Sequence, residues 1–106
     1  MDNWINFPKK ELMLEIYLSE QNMDDEILLF WNQIKTSPEI WLCKDVIEDN
    51  FWAVAHHQNY VIWYNDIEEG FNLSRFKTKG QILEYRAFKN ELNAAIIALK
   101  NKIEII

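Results

Sequence analysis

The spacing of apolar residues changes along the chain, from a helical repeat near the start to a strand repeat in the middle and back again. A first helix is predicted in PKKELMLEIYLSEQ, where Pro8 suits a first helical turn. The apolar positions also alternate from Leu12 to Leu18, so a strand is the alternative for residues 12–18. The helical interpretation is preferred, and its stripe consists of Leu12, Met13, Ile16 and Tyr17.

A second helix is predicted with clearer boundaries. Asp24 can cap its start, and Met23 can pack onto Leu28 across the first turn. The side chains at helical spacing are Ile27, Phe30, Trp31 and Ile34. This helix should end near Lys35. After Pro38, the segment EIWLCK is short, apolar and flanked by turn residues, which predicts a strand.

The centre of the chain is predicted to be a β-meander. In FWAVAHHQNYVIWYN, two apolar runs flank Gln58-Asn59, and Asn tolerates the left-handed conformation that a two-residue hairpin loop requires. The predicted cross-strand pairs are His57 with Tyr60, Ala55 with Ile62, Val54 with Trp63, and Ala53 with Tyr64. Ile62 and Tyr64 then face one side of the sheet, and their neighbours along the strand face the other. One face is core, and the aromatic side chains on the other need cover from a helix, the chain end or a partner.

The meander is predicted to continue through two more strands. DIEEG reverses the chain, with Gly70 supplying a positive φ, and FNLSRF returns as a strand. KTKG forms another turn, QILEYRAF alternates as a further strand, and Asn90 can cap a last helix. The stripe of that helix consists of Leu92, Ile96, Leu99 and Ile103. We therefore expect one α+β domain over residues 1–106: two N-terminal helices, an antiparallel meander of about four to five strands, and a C-terminal helix on one face.

Charge is distributed unevenly and bears on the choice of partner. The net charge is −6 over 106 residues, yet residues 1–69 hold 14 acidic and 4 basic side chains, whereas residues 70–106 hold 3 and 7. An acidic chain argues against nucleic acid, because that ligand needs Lys and Arg to displace counterions. The charge suits a basic protein partner. The alternative is that the acidity only maintains solubility.

Cysteine content and hydropathy indicate the compartment. Cys43 is the only cysteine, so no intramolecular disulfide and no Cys-based zinc site can form, and a buried structural thiol in a reducing compartment is expected. The start, MDNWINFPKK, lacks the features of a secretory signal, and no apolar run has the length of a membrane span. We expect a cytoplasmic protein without membrane contact.

Motifs for catalysis are not found. The chain carries neither phosphate-loop nor dinucleotide glycine motifs, and neither a serine-hydrolase elbow nor a zinc-protease helix motif. His56 and His57 are adjacent, so in a strand they point to opposite faces and cannot readily bind one metal ion. Asp66, Glu68 and Glu69 could bind Mg²⁺ or act as acid and base, but an acidic turn is more often simply exposed. No catalytic residue, metal or cofactor is therefore assigned.

The stretches VIWYNDIEEGFN, GQILEY and ELNAAIIAL resemble a group of small bacterial cytosolic proteins of unassigned function, over roughly residues 25–100. In size, acidity and aromatic content the chain also resembles, as a class, bacterial immunity proteins that neutralise toxin domains. This resemblance implies a non-enzymatic inhibitor of a basic, nuclease-type toxin domain. Asp66 is expected either to accept hydrogen bonds from amides of its turn or to face the partner. The predicted partner-binding residues are Trp63, Asn65, Asp66, Glu68 and Glu69, together with Glu20, Asp24 and Asp25.

A second hypothesis belongs to a different class. The chain could be a small enzyme or small-ligand-binding protein with a pocket near Trp63, His57 and Asp66. These two hypotheses are separated by whether the three side chains converge on one cavity.

Overall fold

The computed structural model describes residues 7–104, over which the chain forms three helices and five strands. In order, these are α1 Lys9–Gln21, α2 Asp25–Ile34, β1 Lys35–Lys44, β2 Glu48–His57, β3 Tyr60–Asn65, β4 Gly70–Arg75, β5 Gln81–Ile82 and α3 Leu92–Glu104. The sheet has the order β4-β3-β2-β1-β5, with β5 parallel to β1 and the other neighbours antiparallel. The predicted α+β architecture, with two N-terminal helices, a meander and a closing helix on the sheet, is confirmed.

The two N-terminal helices follow their predicted starts and ends. In α2, an Asp24 side-chain oxygen accepts a hydrogen bond of 2.9 Å from the Ile27 amide, so the cap is confirmed. Residues 12–18 are helical and not extended. The α1 stripe is narrower than predicted, because only Leu12 and Ile16 are buried. Among residues 7–104, no helix is both long and apolar enough to span a bilayer. The expectation about a secretory signal falls largely on residues 1–6, outside the described part.

Strand β1 begins earlier than predicted, at Lys35, directly after α2 ends. The prediction placed its start after Pro38, because proline lacks the amide that a sheet ladder uses. In the structure the register between β1 and β2 shifts between Lys35 and Glu39, so Pro38 lies within an irregular part of the strand. Bulges and edges are the positions at which a strand tolerates proline.

The β2–β3 hairpin is confirmed near its loop and shifted further away. The two confirmed pairs are His57 with Tyr60 and Ala55 with Ile62. A bulge then leaves Val54 without a partner on β3, so that Trp63 lies opposite Ala53 and Tyr64 opposite Trp52. The predicted pairs of Val54 with Trp63 and of Ala53 with Tyr64 are therefore wrong by one residue.

Two non-glycine residues adopt the left-handed conformation in the turns of the meander. In the β2–β3 loop this residue is Gln58, with φ of 55°, and not Asn59 as predicted. In the β3–β4 turn it is Glu69, with φ of 60°, and not Gly70. Non-glycine residues with positive φ are uncommon, so local propensity points to the neighbouring Asn or Gly in both cases.

The sheet carries a hydrophobic core on each face. The helical core lies between the helices and one face: Leu12, Ile16, Trp31, Ile34, Val54, Ala55, Ile62, Tyr64, Phe71, Leu92, Ala95, Ile96 and Leu99. On the other face, the strap core consists of Trp41, Cys43, Phe51, Ala53, Val61, Trp63 and Ile82, with Ile47, Phe76 and Tyr85 packed against it. The predicted alternation along β3 is confirmed. The second face is covered by the chain itself.

The cover of the strap core is an irregular segment, residues 83–90, which we call the strap. The predicted strand QILEYRAF is wrong beyond its first two residues, since only β5 joins the sheet, next to β1. Side chains of β4 hold the strap: the Asn72 amide group donates to the Phe88 carbonyl and accepts from the Phe88 amide, both at 3.0 Å. The Ser74 hydroxyl donates to the Glu84 carbonyl at 2.6 Å. Side-chain hydrogen bonds here replace a strand ladder.

Gly70 is required by the close approach of the strap and not by the turn. A Cβ atom at this position would lie 2.5 Å from Lys89 Cα, 2.6 Å from the Phe88 carbonyl oxygen and 2.8 Å from the Asn90 nitrogen. All three neighbours are backbone atoms, so any larger side chain has to displace the strap. The predicted role in the turn is thus corrected to a role in packing.

Helix α3 begins one residue later than predicted. The Glu91 carbonyl accepts hydrogen bonds from Ala94 and Ala95, at 3.1 Å and 3.3 Å, so Glu91 and not Asn90 occupies the cap position. The Asn90 carbonyl instead accepts from the Phe71 amide at 2.8 Å, as part of an isolated bridge to β4. The apolar stripe of α3 is confirmed, with Leu92, Ile96 and Leu99 buried in the helical core and Ile103 packed against it.

Candidate functional site: an acidic cleft beside Tyr64

The β3–β4 turn is built around Asn65, whose side chain is fully buried. Its side-chain oxygen accepts from the amides of Ile67 and Glu68 at 3.0 Å and 3.2 Å. Its amide nitrogen donates to the Tyr85 hydroxyl at 3.0 Å and to the Arg86 carbonyl at 2.9 Å. Asn65 therefore takes most of the local role expected of Asp66, which accepts a hydrogen bond from its own amide. Asn65 supports the turn from beneath and is not available to a partner.

An open cleft of about 320 Å³ lies between the second half of α1, the β3–β4 turn and the start of α3. Its charged lining consists of Glu15, Glu69, Glu91 and Lys89. Three carboxylates thus oppose one ammonium group. Tyr64 and Phe71 also line the cleft, together with polar side chains that include Asn22 and Asn93.

The pKa of the Tyr64 hydroxyl is sensitive to the charges around the cleft, because this side chain lines the cavity and is only 7% exposed. Burial raises the pKa of its hydroxyl above 10.0, and nearby carboxylates raise it further by opposing the phenolate. In decreasing order of effect, these carboxylates belong to Glu15, Glu69, Asp66 and Glu11. Two are on α1 and two are in the β3–β4 turn. The cleft therefore disfavours negative charge and offers a neutral hydroxyl beside several anions.

Asp66 lies at the same turn and is half-buried. Burial raises its pKa above 3.8, the charge of Asp49 adds to this effect, and a hydrogen bond from its own amide opposes it. A carboxylate that is poorly hydrated and close to a second one is stabilised by any cation that approaches. Asp66 thus contributes to the same negative region as the two glutamates of α1.

Of the predicted partner-binding residues, Glu69 lines this cleft and the others do not. Trp63 is fully buried in the strap core, where its indole nitrogen donates to the Ser74 hydroxyl at 3.0 Å. Glu20 accepts from the Trp31 indole nitrogen at 2.8 Å and pairs with Lys35 at 3.5 Å. The two remaining acids are at the start of α2: Asp24 as its cap and Asp25 exposed in its first turn. Glu68 is half-buried in the turn and Glu69 is exposed at the cleft.

Among the residues missed from the sequence are Glu15 and Tyr64, which line the cleft, and Glu11, whose charge acts on Tyr64. Glu11 and Glu15 are four positions apart on a predicted helix, which places them on one side of it. That spacing was an available signal. No local pattern shows that this side of α1 would lie against the β3–β4 turn, because the crossing depends on how both elements pack on the helical core.

The pocket expected by the second hypothesis does not form. His57 packs against Phe30 on the helical side, with ring centroids 6.1 Å apart, whereas Trp63 lies in the strap core on the opposite face. His56 packs against Trp41, with a centroid distance of 5.8 Å, so the predicted opposite orientation of the two histidines is confirmed. Trp63, His57 and Asp66 therefore do not converge on one cavity.

Metal and thiol chemistry find no support in the part of the chain that the structure describes. Within residues 7–104, no group of three or more His, Cys, Asp or Glu side chains is arranged to hold a metal ion. Cys43 is fully buried, and burial, followed by the charges of Asp45 and Asp49, raises the pKa of its thiol to about 11. Such a thiol is almost entirely protonated at neutral pH and is a poor nucleophile.

Comparison of the chain with protein-family models, with curated proteins and with solved structures gave no match.

Proposed function

We propose that this chain is a protein-binding module of the bacterial cytoplasm, an immunity-like inhibitor that neutralises a basic, nuclease-type toxin domain through the acidic cleft. One observation carries the proposal: Glu15 of α1 and Glu69 of the β3–β4 turn line the same cleft as Tyr64, and their charges, together with those of Glu11 and Asp66, raise the pKa of its hydroxyl. Because α1 and the turn are far apart in sequence, the fold brings together charges that local structure would leave separate.

Repulsion among like charges is unfavourable in the free protein, and a bound cation relieves it. Carboxylates that lie close together near a buried hydroxyl interact more strongly than in open water, since the effective dielectric constant is lower. An arginine guanidinium can bind such a site through several hydrogen bonds at once. The cleft therefore favours a partner that inserts a basic side chain.

A basic toxin domain fits this chemistry in two ways. Nucleases bind phosphate with Arg and Lys, and carboxylates presented by an inhibitor can occupy the same groups. Charge complementarity also accelerates association, which matters for an inhibitor that has to act before its target does. Nucleic acid is disfavoured as a ligand for the same reason, because its phosphates repel the cleft.

The test uses a basic nuclease domain encoded beside the gene for this protein, mixed with the purified chain. We expect a complex and loss of nuclease activity. Changing Glu15→Gln together with Glu69→Gln should slow association by about tenfold at low salt, with a smaller effect at high salt. Stability should change by no more than about 0.5 kcal/mol, because both side chains are exposed.

The matched control is Asp25→Asn with Glu48→Gln, which removes the same charge from exposed positions outside the cleft lining. It should leave association within about twofold of the unaltered chain, since only long-range steering is affected. If the control weakens binding and the cleft variant does not, the interface includes Asp25 or Glu48 and not the cleft. Absence of both complex and inhibition would overturn the proposed function.

A further inference from the structure

Helix α1 exposes apolar side chains on the surface that faces away from the helical core. Leu12 and Ile16 are the residues of this helix that are buried. The α1 ridge consists of four further side chains, which are 44%, 56%, 56% and 50% exposed: Met13, Leu14, Tyr17 and Leu18. An amphipathic surface helix normally presents polar residues on that side. A contiguous exposed apolar patch usually marks an interaction surface.

The α1 ridge separates two depressions in the surface. On one side is the acidic cleft, whose lining includes Leu18 and Glu15. On the other side is a mainly apolar groove of about 420 Å³ between α1 and the start of β1, lined in part by Met13, Tyr17 and Trp31. A partner that contacts the ridge thus has a recess on each flank for its own side chains.

Unbalanced carboxylates border the α1 ridge on the cleft side. Glu11 and Glu15 are one helical turn apart there, and the cleft adds Glu69 and Glu91 against one lysine, Lys89. On the groove side, Glu20 is already paired with Lys35, which lines the same groove. The surface is therefore apolar along its middle and negative along its cleft edge. Its complement is apolar along the middle and positive along one edge.

We infer that the α1 ridge docks a basic amphipathic helix of the partner, and this inference rests on the proposed function for the class of that partner. Apolar side chains of the bound helix lie on the ridge, and its Lys or Arg side chains reach the carboxylates along the cleft edge. This arrangement is a helix laid onto an apolar surface with a charged rim, in which the apolar contacts supply affinity and the charges set orientation.

A second copy of the chain is a poorer occupant of the α1 ridge. In a symmetric dimer the same surface of both subunits meets, so the contact would contain the carboxylates of Glu11 and Glu15 twice. Like charges facing each other across an interface are costly. The overall net charge of −6 adds to this repulsion.

The inference is tested with a synthetic Leu–Lys amphipathic peptide of roughly 18 residues, about five helical turns. Its affinity for the purified chain is measured by fluorescence anisotropy. Two peptide controls are a scrambled Leu–Lys sequence and an amphipathic Leu–Gln sequence. We expect the unaltered chain to bind the Leu–Lys helix at least about tenfold more tightly than either control, because the apolar face and the charge both contribute.

The variant is Leu14→Gln with Leu18→Gln, which removes two exposed apolar side chains from the ridge. It should weaken binding of the Leu–Lys helix by about tenfold or more. The matched control is Leu29→Gln with Ile97→Gln, two exposed apolar residues on α2 and α3. It should leave the affinity within about twofold. Circular dichroism and thermal unfolding verify that both variants are folded.

Failure of this inference differs from failure of the proposed function. If Glu15→Gln with Glu69→Gln weakens the nuclease complex while the ridge variant binds nuclease and peptide normally, the proposed function stands and the ridge inference falls. If the Leu–Gln helix binds as tightly as the Leu–Lys helix, the ridge does not select a basic helix and the inference is overturned. A dimer in sedimentation that the ridge variant dissociates would assign the ridge to a second copy and would also overturn it.

Discussion

The helical core and the strap core share β3, whose alternate side chains enter one or the other. They differ in how they are closed. Regular helices with apolar stripes close the helical core, so burial of hydrocarbon accounts for most of its stabilisation. The strap core is closed by an irregular segment that polar side chains hold through hydrogen bonds to its backbone. One sheet can therefore be covered by two mechanisms, and a mutation should reveal which mechanism operates where.

The largest expected effect comes from Trp63→Ala in the strap core. Trp63 is fully buried and packs against Phe51 with a centroid distance of 4.7 Å, so its removal leaves a cavity and takes away the indole donor to the Ser74 hydroxyl. We expect a loss of about 3 to 5 kcal/mol in the free energy of unfolding, measured in urea. Trp31→Ala in the helical core should cost a similar amount. A loss below about 1 kcal/mol for Trp63→Ala would mean that the strap side is not a true core.

A smaller effect is expected from Gly70→Ala, which separates the two mechanisms of closure. The new Cβ meets the backbone of the strap, so the strap has to shift, at a cost of about 1 to 3 kcal/mol. We expect Cys43, a buried member of the strap core, to react faster with a thiol reagent once the strap is displaced. The control is Ile96→Val in the helical core, expected to cost about 0.5 to 1.5 kcal/mol without exposing Cys43. Equal labelling rates in both variants would contradict a separately closed strap core.

Asn72→Ala tests the hydrogen bonds that hold the strap. It removes the partner of both the amide and the carbonyl of Phe88. We expect a loss of about 1 to 2 kcal/mol and faster hydrogen exchange at the Phe88 amide, with exchange in α3 rising no more than global stability requires. Asn32→Ala, at an exposed position of α2, is the control and should change stability by about 0.5 kcal/mol or less. Unaltered exchange at Phe88 would show that the strap is held by other contacts.

The smallest expected effect is the pH dependence at Glu84, which anchors the start of the strap. Burial by itself raises the pKa of this carboxyl, but hydrogen bonds from Arg75 and the charges of Arg75 and Arg86 hold it below its ordinary 4.5. A lowered pKa in the folded state stabilises the fold above pH 4.5, and that contribution is lost as the pH falls through the folded-state pKa. The stability of Glu84→Gln should therefore approach that of the unaltered chain in acid. A difference that does not narrow as the pH falls below 4.5 would contradict this.

The two cores also differ in how well sequence predicts them. Stripes such as Leu92, Ile96 and Leu99 mark the face that a helix buries, so the helices and the helical core followed from periodicity. The strap could not be predicted in this way. Its apolar residues alternate as in a strand, but its backbone groups form hydrogen bonds with side chains and not with a neighbouring strand. Gly70 shows where prediction from sequence stops. The sequence indicated that glycine matters at this position, but glycine is needed because the backbone of residues 88–90 comes close to it. That approach depends on tertiary structure and leaves no local pattern.

The candidate site was predicted only in part, for a related reason. The acidic turn was identified, and Glu69 does line the cleft. Asn65 was predicted to bind the partner as part of the acidic turn and Trp63 as a nearby aromatic, but both are fully buried. The partners of the turn, Glu11 and Glu15, come from a helix whose position is set by tertiary packing. Residue type thus indicated the chemistry of the site, and the fold decided its members.

The position of the strap has a consequence for how the chain acquires its structure. The β2–β3 hairpin closes a two-residue loop, whereas the Tyr85 amide bonds to Asp45 across 40 positions of sequence. Closing a long loop costs more entropy and slows folding, so we expect the meander to form first and the strap to dock last. During synthesis, Trp41, Phe51 and Trp63 emerge from the ribosome before the residues that cover them. The nascent chain therefore passes through a stage in which an aromatic sheet face is open to water and prone to aggregation.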